Sequence, residues 1–184
     1  MLRKLVSVAL LMGAACGAAI AGGTDGVWLD VPFVAQTRDG CGAATLAMVM
    51  QYWEHQQGRS AEPAAEAERI LDALYAKRAH GIYASAMVEY LKAHGFRAFA
   101  FAGDEAMVEE HVRKGRPLIA AVRPEGSRAL HYVVIAGVEP EKHIVLVNDP
   151  EQRKLMQVDE AEFEREWKAT GRWTLLAVPA GGAR

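Results

Sequence analysis

Cysteine is scarce in this chain. Only two of its 184 residues are cysteines, Cys16 and Cys41, and Cys16 lies in an apolar N-terminal run. The globular part therefore carries one thiol and has no partner for an internal disulfide. Excess charge is missing as well: 21 Lys and Arg stand against 23 Asp and Glu, a net charge of −2. That balance offers no basic surface to nucleic acid or to an anionic membrane. Internal repeats, long linkers and ligand spacings such as H-x-x-x-H are also absent, so one domain without metal or cofactor is expected. What remains is an ordinary globular mixture, 51% hydrophobic and 24% charged.

The N-terminus does not belong to that globule. Arg3 and Lys4 precede "LVSVALLMGAACGAAIAGG", and no acid occurs before Asp25. A short basic start, an apolar stretch and small residues read as a secretory signal peptide over 1–21, with Ala19-Ile20-Ala21 as the cleavage site. The expected mature chain starts near Gly22 and works in the periplasm or outside the cell. Two alternatives stay open, an uncleaved anchor and lipid attachment at Cys16 within "GAAC". A lipoprotein signal usually has a Leu-like residue three before the cysteine, where this chain has Gly13. Membrane association is expected only if Cys16 carries lipid. Exported chains usually pair their cysteines, so an unpaired Cys41 asks for a chemical reason.

Helical periodicity comes first along the chain. Ile70, Leu71 and Leu74 predict a helix over 64–78; Met87, Val88 and Leu91 predict one over 84–94, stopped by Gly95. Met107, Val108 and Val112 predict a third over 104–114, with Asp104 as its cap and Gly115 as its stop. Strand texture follows at 117–122, 131–138, 143–149 and 172–178, with 96–102 a further candidate. A short helix at 160–167 is capped by Asp159, with Glu162 completing a capping box. Helices followed by antiparallel strands define an α+β domain over 27–179, with 180–184 a tail.

The chemistry gathers around "VAQTRDGCGAATLAMVMQYW". Cys41 stands between Gly40 and Gly42 at the start of a helix that is apolar nearly all round, hence central and buried. Unsatisfied amides and the positive dipole end at a helix start favour thiolate over thiol. The two glycines would let a substrate backbone come close. The bland reading, a small buried hydrophobe, weighs equally on this segment alone. Of six histidines, His55, His80, His94 and His111 read as solvated, and His143 starts a strand beside a turn. His131 opens the apolar strand "HYVVIAGV". If that strand turns back at "EPEK", with Val138 facing His143, then His131 falls opposite Pro150 and Asp149 is one step away. A one-residue bulge would bring acid and imidazole together. Asn148 is the competing partner, but adjacent strand residues point to opposite faces, so only one of the two can serve. Gln36, five residues before Cys41, has an amide suited to an oxyanion.

In this order, Gln36, then Cys41-Gly42 heading a helix, then His131, then Asp149-Pro150, the sequence resembles the bacteriocin-processing cysteine peptidases. These are papain-like domains that cut leader peptides after a double glycine. The likeness runs from "VPFVAQ" to "LLAVP" and includes "VRKGRPLIAAV" ahead of the histidine strand. It implies a papain-like fold, with Cys41 as nucleophile, His131 as base, Asp149 as orienting acid and Gln36 in the oxyanion hole. It also implies a peptide or protein substrate, and the expected type is a free-standing, exported member. The rival expectations are acyl transfer on the same residues, a non-catalytic relative that binds peptides or a partner in the cleft, and a structural lipoprotein with an inert Cys41.

Overall fold

The structure is a computed structural model that describes residues 25–62 and 65–181. The expected signal peptide, its cleavage site and Cys16 lie outside the described residues, as do the last three residues of the tail.

The central element is α1, Cys41–Gln56. Its sequence includes three Ala, two Met and one Leu, which lose little side-chain freedom in a helix. Every residue from Gly42 to Met50 is buried, as its all-round apolar character requires. Polar atoms at its far end are bonded to carbonyls elsewhere: Gln51 Nε2 donates to Ala65, Tyr52 Oη to Gly115 and Trp53 Nε1 to Ala177, each at 2.9 Å. Those bonds fix the helix in depth and rotation, and so fix where Cys41 emerges.

Seven strands, all antiparallel, form one sheet among the described residues. They are β1 (Val27–Trp28), β2 (Phe96–Ala102), β3 (Leu118–Val122), β4 (His131–Glu139), β5 (Ile144–Asn148), β6 (Met156–Asp159) and β7 (Trp173–Pro179). Their order is β2-β7-β3-β4-β5-β6, with β1 alongside β4 beyond the end of β3. While α2 (Ala67–Leu74) packs on α1 through Ile70, one face of the sheet packs on α1 and α3 (Ala84–Ala93), the latter through Met87 and Leu91. The other packs on α4 (Glu105–Arg113) and α5 (Glu160–Lys168), through Val108, Val112, Phe163 and Trp167. The architecture is α+β, as expected, but the sheet is covered on both sides. This explains why "LIAAV" of β3 is apolar without alternation: all five residues are buried.

Local chemistry sets the helix ends. Asp104 caps α4 by accepting from the Met107 amide at 2.8 Å, and Asp159 caps α5 from Ala161 and Glu162. Gly95 and Gly115 take the left-handed conformation where α3 and α4 stop. The helix predicted over 64–78 ends at Leu74, because Ala76 bridges to Gly81 and draws the chain into a turn. Sequence periodicity also missed β1, too short to show a pattern, and β6.

The β4–β5 hairpin differs from its expected register. A short 3-10 turn at Pro140–Lys142, with His143 left-handed, makes Glu139 rather than Val138 the last paired residue, opposite Ile144. A bulge between Ile135 and Gly137 then shifts the pairing, so Val134 faces Asn148. The bulge turns the Ala136 carbonyl toward β1, where it accepts from Leu29 N at 2.7 Å. It also explains Gly137. A Cβ there would lie 2.8 Å from Leu146 Cδ1, Trp28 Cβ and the Val27 carbonyl. Gly137→Ala is expected to displace β1 and lower stability by about 1–3 kcal/mol, the usual cost of overpacking. A urea unfolding midpoint matching that of the native chain would contradict this account.

Candidate active site

Cys41 is the first residue of α1 and is half-buried. The first intrahelical bond is Ala44 N to Gly40 O at 2.9 Å, so the amides of Cys41, Gly42 and Ala43 have no acceptor within the helix. The preceding turn is tightly held. Gly40 N donates to Thr37 O at 3.0 Å, Asp39 is left-handed, and Tyr75 Oη donates to Asp39 Oδ2 at 3.0 Å. The two glycines have a different reason from the one the sequence suggested. A Cβ on Gly40 would meet Thr37 O at 2.9 Å, and one on Gly42 would meet Ile82 Cβ at 3.2 Å. They let the chain pack on itself rather than opening space for a substrate.

His131 opens β4, opposite Val122 of β3, and its side chain is 13% exposed. Its Nε2 lies 2.8 Å from Asp149 Oδ1, and Cys41 is close enough to its ring to act on its charge. With Nε2 engaged, Nδ1 is the nitrogen left for the thiol. Asp149 sits just past β5, its side chain 8% exposed. The strands do not bring it into paired register with His131; the bulge and the chain leaving β5 do.

Every carboxylate oxygen of Asp149 is occupied. Oδ1 also accepts from Glu151 N at 2.9 Å, and Oδ2 accepts from Gln152 Nε2 at 2.9 Å. Gln152 went unnoticed in the sequence, where a Gln in a turn has no signal of its own. Asn148 is fully buried on the other face, donating to Val31 O and accepting from Leu155 N. It braces the turn and leaves the imidazole to Asp149.

Electrostatics follow from these contacts. Burial disfavours a charged His131, but the hydrogen bond to Asp149, the nearby Cys41 and the negative charges of both outweigh it and push its pKa up to about 10. For Asp149, burial acts upward, while the bonds from His131, Glu151 and Gln152 and the imidazolium charge hold the carboxyl below its usual range. Tyr132, beside His131 in β4 and facing the α1 side, is pushed up to about 12 by burial, with a smaller contribution from negative charge at Cys41.

Gln36 is brought to the same end of the molecule. Its backbone N–H donates to Pro150 O at 2.9 Å, tying the loop before Cys41 to the turn that carries Asp149. Its side-chain Oε1 is buried without a hydrogen-bond partner. Gln36 lines a groove of about 360 Å³ with Thr37, Gly40, Ala43, Gln51 and Glu66. A second cavity of about 200 Å³ lies behind His131 and Asp149, walled by Gln152, Val133, Val147 and Phe163. Of the other histidines, His80 has Nδ1 4.0 Å from Asp39 Oδ2, in the turn before Cys41. His94 bonds the Tyr90 carbonyl and His143 bonds Glu160. His111, expected to be solvated, is half-buried with an unpartnered Nδ1, and burial pushes its pKa down.

A thiol at the start of a buried helix, facing an imidazole at the start of a strand, on an antiparallel sheet, is the papain-like cysteine peptidase architecture. Residues 28–175 match the Peptidase_C39 like family, and the chain belongs to that family. Solved structures agree on the fold. A protein described as a C39-like peptidase from Bacillus anthracis is 18% identical, with a TM-score of 0.65, over 84% of this chain and 98% of that one. The peptidase domain of Streptococcus ComA, a bifunctional ABC transporter of a quorum-sensing pathway, is 23% identical, with a TM-score of 0.62, over 80% and 97%. A double glycine motif protease from an AMS/PCAT transporter, solved with its leader peptide, is 22% identical, with a TM-score of 0.59, over 83% and 94%. No curated protein matches the sequence. The function is that of a cysteine peptidase in the coarse sense the family carries, and the expected resemblance is borne out at that level.

The raised His131 pKa has a sign that can be checked. A group with a folded pKa above its unfolded value, about 6.5 for histidine, contributes stability below the unfolded value and loses it as pH rises through the folded one. The stability difference between the native chain and His131→Gln is therefore expected to be largest below pH 6.5 and to shrink toward pH 10. Denaturant unfolding across that range measures it, and a difference that grows with pH would contradict the assignment.

Proposed function

We propose that this chain hydrolyses peptide bonds through Cys41, His131 and Asp149, with Gln36 and the Cys41 amide receiving the oxyanion. The observation that carries the reading is the placement of His131, held by Asp149 at 2.8 Å through Nε2 and near enough to Cys41 at the start of α1 to feel its charge. An imidazole so placed takes the thiol proton at Nδ1, while Asp149 holds Nε2 and stabilises the imidazolium. The thiolate then attacks the peptide carbonyl carbon. Charge builds on the carbonyl oxygen, where the unpaired helix-start amide of Cys41 can donate. Among the described residues Gln36 Oε1 has no donor, and the Nε2 of the same amide is the proposed second donor to that oxygen. The imidazolium returns its proton to the leaving amine, giving an acyl-enzyme. His131 next deprotonates a water, which releases the acid and restores the thiol.

The substrate we propose is a peptide or a protein segment met outside the cytoplasm, as the signal-like N-terminus suggests. The leader peptide held by the double glycine motif protease supports a peptide ligand. Cleavage after small residues such as a Gly-Gly pair belongs to the same proposal. Gln152 serves as a positioning residue, acting on His131 through Asp149.

Cys41→Ala should abolish cleavage of a peptide library, and the sequence logo of the native chain's products reports the specificity. Iodoacetamide should label Cys41 in the folded protein well above the rate of a free thiol at neutral pH, and His131→Ala should remove that excess. Labelling no faster than a free thiol, or unchanged in His131→Ala, would end the proposal. Gln36→Ala is expected to lower kcat about 10²–10³-fold while leaving alkylation intact, since an oxyanion donor acts only on the transition state. Hydrolysis needs the imidazolium as acid, so its rate should fall as pH passes about 10, whereas alkylation should persist above that pH.

A further inference from the structure

Among the described residues, the strand β2 ends the sheet and pairs only with β7. The ladder shows which way its backbone groups point. Gly95 O accepts from Ala180 N at 2.8 Å, and Gly103 N donates to Arg172 O at 3.0 Å, at the two ends of an unbroken antiparallel register. Hydrogen-bonded and non-bonded pairs alternate in such a ladder, so Arg97, Phe99 and Phe101 face β7 with their main chain. The N–H and C=O groups of Phe96, Ala98, Ala100 and Ala102 point outward. Among the described residues none of these groups has a partner from another element.

An edge of this kind is normally blunted by proline, lysine, inward charge or a bulge. Here "FRAFAFA" has no proline, lysine or inward charge, its one charge is the exposed Arg97, and its seven pairs with β7 run without a register shift. Arg97, Phe99, Ala100 and Ala102 are exposed, and Phe99 keeps 51% of its surface in water.

We infer that β2 is a self-pairing edge whose occupant is the β2 of a second copy of this chain, antiparallel, so that the sheet continues across a two-fold axis. Several registers are self-complementary, but only one overlaps the whole strand. The outward groups belong to even-numbered residues, so even must bond with even. Placing the axis at Phe99 sets Ala98 against the second copy's Ala100, and Phe96 against its Ala102. All seven residues overlap. Phe99 then meets its own copy in the central non-hydrogen-bonded pair, where side chains approach most closely. Arg97 falls opposite the second copy's Phe101 rather than opposite another arginine, so the strand's only charge meets an aromatic ring. The edge is three strands from β4 in the sheet order, so His131 and the cleft stay open in the pair. The inference does not depend on the proposed catalytic roles.

Sedimentation velocity of the protein at tens of micromolar, followed by dilution, reads the association directly. A dimer is expected, with Phe99→Lys and Ala98→Pro each monomeric at the same concentration. Phe99→Lys changes an exposed side chain only, so its folding and its Cys41 alkylation rate should match the native chain. Register has its own readout in a Cys41→Ala background. Phe99→Cys should cross-link to a covalent dimer under mild oxidation, since facing non-bonded residues are about 4.5 Å apart at Cα, within disulfide range. Arg97→Cys should not. A monomeric native chain, or a dimer that persists in a folded Phe99→Lys, overturns the inference. A dimer in which Arg97→Cys cross-links and Phe99→Cys does not overturns the register.

Discussion

The burial of α1 against the sheet is the constraint on which the rest depends. A helix apolar on all sides has no face to offer water, so it must be enclosed by the sheet and by other helices. Once enclosed and tied by Gln51, Tyr52 and Trp53 to distant carbonyls, it reaches solvent chiefly at its ends, through His55 and Gln56 at the last turn and through its first turn. That turn carries Cys41, with amide groups that the helix itself cannot satisfy. Stability and the proposed reactivity thus have one origin. The packing that excludes water from Leu46, Met48 and Met50 also presents the thiol to the imidazole.

The opposite half of the site comes from the β4–β5 hairpin, and its geometry depends on irregularities rather than on regular pairing. The bulge at Ile135–Gly137 and the chain's departure from β5 at Asp149 bring acid and imidazole within 2.8 Å. The same bulge reverses the face of the strand end: Tyr132 and Val134 pack on the α1 side, while Val138 joins Val145 on the other. Close passage of β1 over Gly137, and the bond from Gln36 N to Pro150 O, then lock the N-terminal loop onto this hairpin. The two halves are held together by these main-chain contacts and by the Asn148 side chain on Val31 O, none of which uses the side chains of Cys41 and Gln36.

A hydrogen-bond network of this density narrows what each group can do. Asp149 has no free oxygen, because His131, Glu151 and Gln152 use both. It cannot accept the proton from His131 without losing those bonds, so it orients the ring and keeps its charge. Asn148, one residue earlier, has the same hydrogen-bonding capacity in principle but points to the buried face. Strand alternation made that separation between neighbours predictable.

Much of the fold was legible because local rules decide it. The caps at Asp104 and Asp159, the left-handed stops at Gly95 and Gly115, and the all-apolar helix after Cys41 each follow from backbone groups that need partners and side chains that avoid water. Sequence determined by itself that one thiol heads a buried helix, and that an imidazole and an acid lie at the same end of a sheet. Only the tertiary structure decided how they meet. Register depends on whether a turn takes one residue more and on where a bulge falls, and these follow from β1 crossing at Gly137, more than a hundred residues away in the chain. Gln152 and the true reason for Gly40 and Gly42 were invisible for the same cause: each acts through a contact, and contacts between distant segments have no local signature.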